Sequence, residues 1–184
     1  MDITISEYLQ TELPKLFGSH IKLSQKEIGE NLLIGHLFAK GQLHLKDVLG
    51  IPQKRIEYLY AAAFELYQKD QIKDANRLFL LLCAYDPTSI RFWEGWAITS
   101  KLLQQHADAL IAYQILTDLN PVKISYYLDL AEEFCKMKQI EPAIKCCEAI
   151  EYMAKEEPFS SENPDAPACL QKATILHKAL TKKS

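Results

Sequence analysis

The hydrophobic and polar positions of this chain repeat with a period of 34 residues. Residues 75–87 carry an alanine, an aromatic side chain four positions later and a closing proline, as Ala75, Phe79 and Pro87. Residues 109–121 repeat this order 34 positions further on. A repeat of this length fits one hairpin of two helices. The pattern therefore predicts helical hairpins that stack along the chain, and an all-α fold.

Three units share this register. With the two prolines as fixed points, the units run over residues 56–89, 90–123 and 124–158. Each unit has one alanine in its first helix and one in its second, and small residues at these places let paired helices approach closely. The six alanines are Ala63, Ala97, Ala131, Ala75, Ala109 and Ala143. The sequence therefore predicts three tetratricopeptide repeats in a short solenoid.

The sequence departs from the usual repeat in two places, and neither departure removes the predicted hairpins. The turn within each hairpin usually has a glycine, and this chain has Asp70, Gln104 and Lys138 there instead, which makes the turns less permissive. In the third unit Cys147 replaces the aromatic residue of the second helix, and the closing proline is missing. The third unit is therefore the weakest match, as is common near the end of an array.

The first 55 residues differ from the repeats, since they hold five of the six glycines. Ser24 and Glu27 have the spacing of a capping box and predict a helix over residues 24–40 with one apolar face. An earlier helix is predicted over residues 6–17, interrupted at Pro14. We expect residues 1–55 to form a helical extension that could serve dimerisation.

The chain after the repeats is expected to form a loop and a last helix. Residues 155–168 are polar and rich in proline, which is typical of a loop. Apolar and polar residues then alternate at helical spacing, with lysines in the last turns. A terminal helix with one polar face covers the last apolar surface of a solenoid. We therefore assign residues 56–158 to the repeats and residues 159–184 to a loop and a capping helix.

The composition is that of a soluble globular protein, with 48% hydrophobic and 24% charged residues. The formal net charge of -3 gives no bulk electrostatic reason to expect nucleic acid or an anionic membrane surface as a partner. The start of the chain does not resemble a secretory signal, and its apolar stretches are too short to span a bilayer. Five cysteines without C-x-x-C spacing favour buried thiols in a reducing compartment. These features predict a soluble intracellular protein.

No catalytic or metal-binding constellation stands out in the sequence. His36 and His44 lie on either side of Gly41, so no shared helical face is secured for a metal ion. Glu132 and Glu133 are interpreted, together with Asp129, as a solvated helical edge rather than an acid/base pair. We therefore expect no enzymatic activity, no metal and no cofactor.

The concave side of a repeat array is the expected binding site. The first helix of each unit lines this side, with positions 5, 9 and 12 facing inward. In the third unit these positions hold Leu128, Glu132 and Cys135. The candidate peptide-binding residues are those of the first two units, Arg91 one turn earlier, and the first position of the third unit: Tyr60, Phe64, Tyr67, Arg91, Glu94, Ile98, Lys101 and Leu128. They predict a peptide groove with an aromatic wall and a charged middle. An alternative is that the aromatic residues pack against the N-terminal helices.

One kind of tetratricopeptide groove is excluded by these residues. Co-chaperones that hold the carboxylate tail of heat-shock proteins have lysine and asparagine where this chain has Tyr60 and Phe64. Neither aromatic side chain can donate those hydrogen bonds in the same way. We therefore expect no carboxylate clamp.

Residues 43–97 resemble the class II chaperones of bacterial type III secretion, the SycD/LcrH group. The resemblance lies in a lead-in L-K-D-x-x-x-I-P at residues 45–52 and in L-Y-x-x-A-x-x-x-Y at residues 59–67. It continues in F-x-x-L-C-x-x-D at residues 79–86 and in R-F-W at residues 91–93. This set of motifs is far more specific than a generic repeat.

The resemblance implies three tetratricopeptide repeats between flanking helices, and a chaperone of the bacterial cytoplasm. Members of the family bind hydrophobic translocator proteins, of which a short extended segment lies in the concave groove. Tyr60, Phe64 and Tyr67 match the groove aromatics of the family. Relatives dimerise through their N-terminal helices. The chain also resembles the chlamydial branch, and this resemblance implies a gatekeeper protein that plugs the secretion channel as an alternative client.

A second function from another class stays open at this point. A structural adaptor would join folded proteins of the secretion apparatus, such as a gatekeeper, through its convex face or its N-terminal helices. Substitutions of Tyr60 and Tyr67 would then spare binding, whereas changes around Leu32 and Leu37 would abolish it. A groove chaperone predicts the reverse.

Overall fold

The fold was analysed in a computed structural model, which describes residues 44–156 and 164–181. The chain divides after Gly50 into two compact units. The helices predicted over residues 6–17 and 24–40 lie outside the described residues, as do residues 157–163 of the predicted loop. The ends of the predicted loop, residues 155–156 and 166–168, are helical instead. The division of the chain at residues 55 and 158, and dimerisation through the N-terminal helices, therefore stay predictions.

The described residues are helical, and the predicted all-α fold is confirmed. In the first unit, one short helix, α1, spans Leu45–Val48. The second unit contains three consecutive hairpins and a last helix. The hairpins are α2 (Gln53–Gln68) with α3 (Ile72–Tyr85), α4 (Ile90–Leu102) with α5 (His106–Leu119), and α6 (Ile124–Lys136) with α7 (Ile140–Glu156); the last helix is α8 (Ala166–Thr181).

The three hairpins follow the predicted register. The first helix of the second and third hairpins begins at the expected residue, whereas α2 begins three residues early, directly after Pro52. Proline is favourable at a helix start because it has no N–H to leave unsatisfied. Each helix of the second unit packs against its neighbours in that unit, and α8 packs against both α7 and α6. The last helix thus covers the end of the array, as predicted.

The alanine positions explain how closely the helices approach. All six repeat alanines have no solvent-exposed surface. A larger side chain at any of them would press on a packed neighbour and strain the backbone. The period of the sequence therefore identified the helix–helix contacts of the array correctly.

The three turns within the hairpins keep the backbone conformation that glycine usually supplies. Asp70, Gln104 and Lys138 have backbone φ angles of 59°, 58° and 59°, in the left-handed region that favours glycine. The next residue of each turn donates its N–H back to a carbonyl in the last turn of the first helix, with N···O distances of 2.8 to 2.9 Å. This bond ends the helix and holds the strained residue in place. The same turn is therefore built three times without glycine.

A buried polar contact joins the first hairpin to the second. The Asn76 side chain on α3 donates hydrogen bonds to the Thr99 and Ser100 hydroxyls on α4, at 3.0 and 2.9 Å. All three side chains are buried. Because an unsatisfied buried amide is costly, this contact favours one register between the two hairpins.

The interpretation of the acidic run on α6 as a solvated edge is wrong for Glu133. Its side chain is 0% exposed. One carboxylate oxygen lies 2.8 Å from His106 Nδ1 at the start of α5, and the other accepts a hydrogen bond from Lys136 at 2.8 Å. These partners compensate for burial of the carboxylate between two hairpins.

All five cysteines lie in the described residues and are free thiols. Four are buried and Cys135 is partly exposed. Burial raises the pKa of Cys83 and of Cys147 to about 12, from an ordinary value of 9.0. The prediction of buried thiols is therefore confirmed for four of them, and these thiols stay protonated at neutral pH.

The buried thiols predict a loss of stability in alkali. Between pH 9 and pH 12 the unfolded chain loses the Cys83 and Cys147 protons while the folded chain keeps them. Because the unfolded state then binds fewer protons, the free energy of unfolding falls as the pH rises, by up to about 1.4 kcal/mol per pH unit for each thiol. Urea unfolding between pH 8 and about 10 would measure this slope.

The control for this prediction is the variant Cys83→Ala/Cys147→Ala. Its stability is lower at neutral pH because two buried side chains are shortened. Its slope against pH should nevertheless be flatter than that of the wild type. An equal slope in the two proteins would show that these thiols do not cause the alkaline loss.

Candidate peptide-binding groove

The first helices of the three hairpins are connected across one side of the array. The α2 and α4 helices contact each other, and an ion pair joins Glu57 on α2 to Arg91 on α4. On the other side of α4, Glu94 and Lys101 reach Tyr126 and Asp129 on α6. The repeat places these residues at equivalent positions, and helical spacing turns them to one face. This face is the predicted concave surface.

A pocket of about 200 Å³ lies on this face between α2 and α4. Six of the eight candidate residues from the sequence line it, together with two residues that sequence analysis missed. The lining residues are Tyr60, Phe64, Tyr67, Phe79, Arg91, Glu94, Gly95 and Ile98. The sequence-derived candidates from the first two repeats, apart from Lys101, are thus brought together at one pocket.

The aromatic side chains of the pocket have two different roles. The Tyr60 ring lies 6.1 Å from the Phe79 ring and 5.6 Å from the Phe92 ring, between centroids, so Tyr60 belongs in part to the core. The Phe64 ring lies 6.3 Å from the Tyr67 ring, between centroids, but Phe64 is 45% exposed to solvent. Ile98 on α4 is 44% exposed. Two large apolar side chains therefore stand uncovered at the pocket, where they favour an apolar ligand.

The floor of the pocket depends on Gly95, which the sequence analysis did not select. A Cβ atom at this position would lie 2.4 Å from two atoms of the Phe79 ring, which is closer than any real contact. The glycine therefore lets the ring lie against the α4 backbone. A signal was present in the sequence, because Gly95 is the sixth glycine and stands in the middle of a helical pattern.

Arg91 forms one side of the pocket. Its guanidinium group lies 4.7 Å from the centroid of the Tyr60 ring and is paired with Glu57. The hydrogen bond to Glu57 raises the pKa of Arg91. The cation–π contact and the ion pair hold the side chain over the aromatic wall.

The charged middle of the face is also paired. Lys101 donates to Asp129 at 2.6 Å and lies 3.4 Å from Glu132. Burial raises the pKa of Asp129, although Lys101 opposes this effect. Glu94 accepts a hydrogen bond from the Tyr126 hydroxyl at 2.5 Å. These contacts fix the angle between α4 and α6, and Lys101 lies beyond the pocket rather than in it.

Leu128 is placed differently from the other candidates. It is 7% exposed and belongs to the hydrophobic core. Its helix, α6, packs against α5, α7 and α8, and therefore has less uncovered surface than α2. The alternative that the aromatic residues pack against the N-terminal helices stays a prediction, because those helices lie outside the described residues.

Two further features bear on what this face can do. Within residues 44–156 and 164–181, no helix has the length and apolar character needed to cross a membrane. In the same ranges, no three side chains of histidine, cysteine, aspartate or glutamate are grouped to hold a metal ion.

Three stacked helical hairpins followed by a last helix define a tetratricopeptide solenoid. A sequence model of the tetratricopeptide repeat matches residues 56–88. The chaperone protein SicA of Salmonella typhimurium is 30% identical over 118 residues, which cover 61% of this chain and 68% of SicA. The chain belongs to the class II chaperones of type III secretion, as its motifs indicated.

Solved structures show the same fold. A type III secretion complex from Aeromonas hydrophila contains a chain with a TM-score of 0.67 and 19% identity, and the match covers 82% of this chain and 96% of the other. SycD of Yersinia enterocolitica, in complex with a peptide of the translocator YopD, has a TM-score of 0.60 and 20% identity. That match covers 72% of this chain and 97% of SycD. The predicted solenoid is therefore confirmed as the fold.

Proposed function

We propose that this protein is a translocator chaperone that holds an extended segment of a secreted hydrophobic protein in its concave groove. The observation that carries the proposal is the pocket between α2 and α4, where Phe64 and Ile98 are 45% and 44% exposed. An uncovered apolar pocket beside polar groups suits an extended peptide with apolar anchors. SycD, which has the same fold, was crystallised with a translocator peptide.

The physical role of such a groove is to cover surface that would otherwise aggregate. A translocator has membrane-seeking segments, and a bound chaperone keeps them from associating in the bacterial cytoplasm. The relatives of this chain are chaperones, and we propose that it acts stoichiometrically, without nucleotide or catalysis. Release is then driven by the secretion machinery rather than by the chaperone.

Co-expression tests this function. The chain is produced with each candidate translocator and with the gatekeeper encoded in the same genome, and soluble yield and co-purification are measured. We expect at least one translocator to become soluble and to co-purify. If no partner gains solubility, the chaperone function is wrong. If a folded gatekeeper binds and groove substitutions have no effect, the adaptor function takes its place.

Concentration-dependent light scattering would test whether the chain forms a homodimer.

A further inference from the structure

The residues that line the pocket include one carboxylate, Glu94, and one cation, Arg91, among apolar and aromatic side chains. Glu94 lines it with Phe64 and Ile98. Its Oε1 atom accepts a hydrogen bond from the Tyr126 hydroxyl at 2.5 Å. Within residues 44–156 and 164–181, Glu94 makes no other side-chain hydrogen bond or ion pair. Since a carboxylate has two oxygens that each accept hydrogen bonds, Oε2 is left to accept one from a ligand.

The position of this carboxylate is held by the fold. Tyr126 is buried on α6, and burial together with its bond to Glu94 raises the pKa of its hydroxyl. The hydroxyl therefore stays protonated and continues to donate at physiological pH. The hydrogen bond from Tyr126 holds the Glu94 carboxylate between α4 and α6, where it also lines the pocket. A carboxylate held in this way loses little freedom when it meets a ligand.

The cations of this face do not neutralise Glu94. Arg91 is paired with Glu57, and Lys101 is paired with Asp129 and Glu132. Among Glu94, Asp129, Glu132 and Lys101, three carboxylates thus stand against one cation. The surplus is negative, so the face attracts a cationic side chain and repels an acidic one.

We propose that Glu94 is a specificity-determining residue, which selects client segments that present a lysine or arginine beside the apolar side chain entering the pocket. The Glu94 Oε2 atom accepts a hydrogen bond from that cation, while Phe64 and Ile98 contact the apolar side chain. Charge-assisted hydrogen bonds are stronger than neutral ones, so such a pair contributes to affinity even when it is partly exposed. This inference rests on the proposed function, because it requires a peptide in the groove.

A competing explanation is that Glu94 only braces α4 against α6 through Tyr126. Two conservative variants separate the roles. In Glu94→Gln the amide oxygen can still accept the Tyr126 hydrogen bond, but the charge is gone. In Tyr126→Phe the brace is gone, but the charge remains. A selective role predicts that Glu94→Gln removes the preference for cationic peptides and that Tyr126→Phe retains it. If Glu94 only supports the packing of α4 against α6, Tyr126→Phe should weaken peptide binding more than Glu94→Gln does.

The test uses an array of overlapping peptides that cover the candidate translocators and the gatekeeper of the same genome. Each peptide that binds is remade with its lysines and arginines changed singly to glutamine and to glutamate. The purified full chain is applied as wild type, Glu94→Gln, Glu94→Lys, Tyr126→Phe and Phe64→Glu, at low salt and at about 0.5 M salt, where exposed charge pairs are screened.

For the wild type, we expect one cationic position at which glutamine weakens binding about three- to tenfold and glutamate weakens it further. Glu94→Gln should abolish this difference, Glu94→Lys should prefer the glutamate peptide, and high salt should reduce the effect. If peptides bind through Phe64 but no Glu94 variant changes their charge preference, the inference is wrong and the proposed function stands. If no peptide binds, or if Phe64→Glu binds as the wild type does, both are wrong.

Discussion

Replacement of Phe64 by glutamate should abolish client capture and leave the array folded. Phe64 is 45% exposed, so the substitution removes little buried surface and costs less than about 1 kcal/mol of stability. In the complex, by contrast, the ring would be covered by the client, and loss of a central aromatic anchor typically costs 2 kcal/mol or more, about 30-fold in affinity. The added charge would also stay unpaired against an apolar side chain.

The matched control for this substitution is Tyr58→Glu. Tyr58 lies on the same helix, α2, and is 64% exposed, but it does not line the pocket. Both variants should unfold at nearly the wild-type urea concentration, and only Phe64→Glu should fail to co-purify with the client. Equal loss in both variants, or no loss in either, would place the client elsewhere on the protein. Tyr60→Ala is a poorer test, because Tyr60 also packs against the core rings of Phe79 and Phe92.

Substitution of Gly95 by alanine should push the Phe79 ring into the same pocket and fill it. The new methyl group would overlap the Phe79 ring, which is buried and has the pocket as the nearest open space. Overpacking costs about 1–3 kcal/mol, whereas alanine gains about 1 kcal/mol over glycine within a helix. We therefore expect a net loss of up to about 2 kcal/mol in urea unfolding, and at least a tenfold loss of client affinity because the ring fills the pocket.

A second substitution checks the cause. In the double variant Gly95→Ala/Phe79→Leu, the smaller side chain leaves room for the methyl group, so pocket volume and client binding should recover in part. Phe79→Leu alone should lower stability modestly and keep binding. If Gly95→Ala stabilises the protein and binds normally, or if the double variant recovers nothing, then the contact between Gly95 and Phe79 does not shape the pocket.

The period of the sequence was enough to predict the architecture. It placed the repeat alanines at fully buried positions and located three turns that adopt left-handed backbone without glycine. It also brought six of the eight candidate residues to one pocket. This success has a simple cause: helical geometry and the stacking of equal units are local properties, so spacing along the chain fixes the direction in which each side chain points.

The burial of each side chain could not be predicted from the period in the same way. Tyr60, Glu94 and Leu128 occupy equivalent places in the three units, yet the first two line the pocket and Leu128 is buried in the core. The number of helices packed against each unit differs along the array, and the repeat pattern does not contain this number. The burial of a side chain in the last repeat of a solenoid therefore cannot be deduced from the burial of the equivalent side chain in an earlier repeat.

The sequence by itself determined the fold, the family and the face on which a client is expected to bind. Only the tertiary structure decided which polar groups are paired: it brought His106 to Glu133, Tyr126 to Glu94 and Asp129 to Lys101. It also set the Phe79 ring against Gly95. These contacts join residues 16 to 32 positions apart, and their formation depends on the angle and distance between packed helices, which no local spacing encodes.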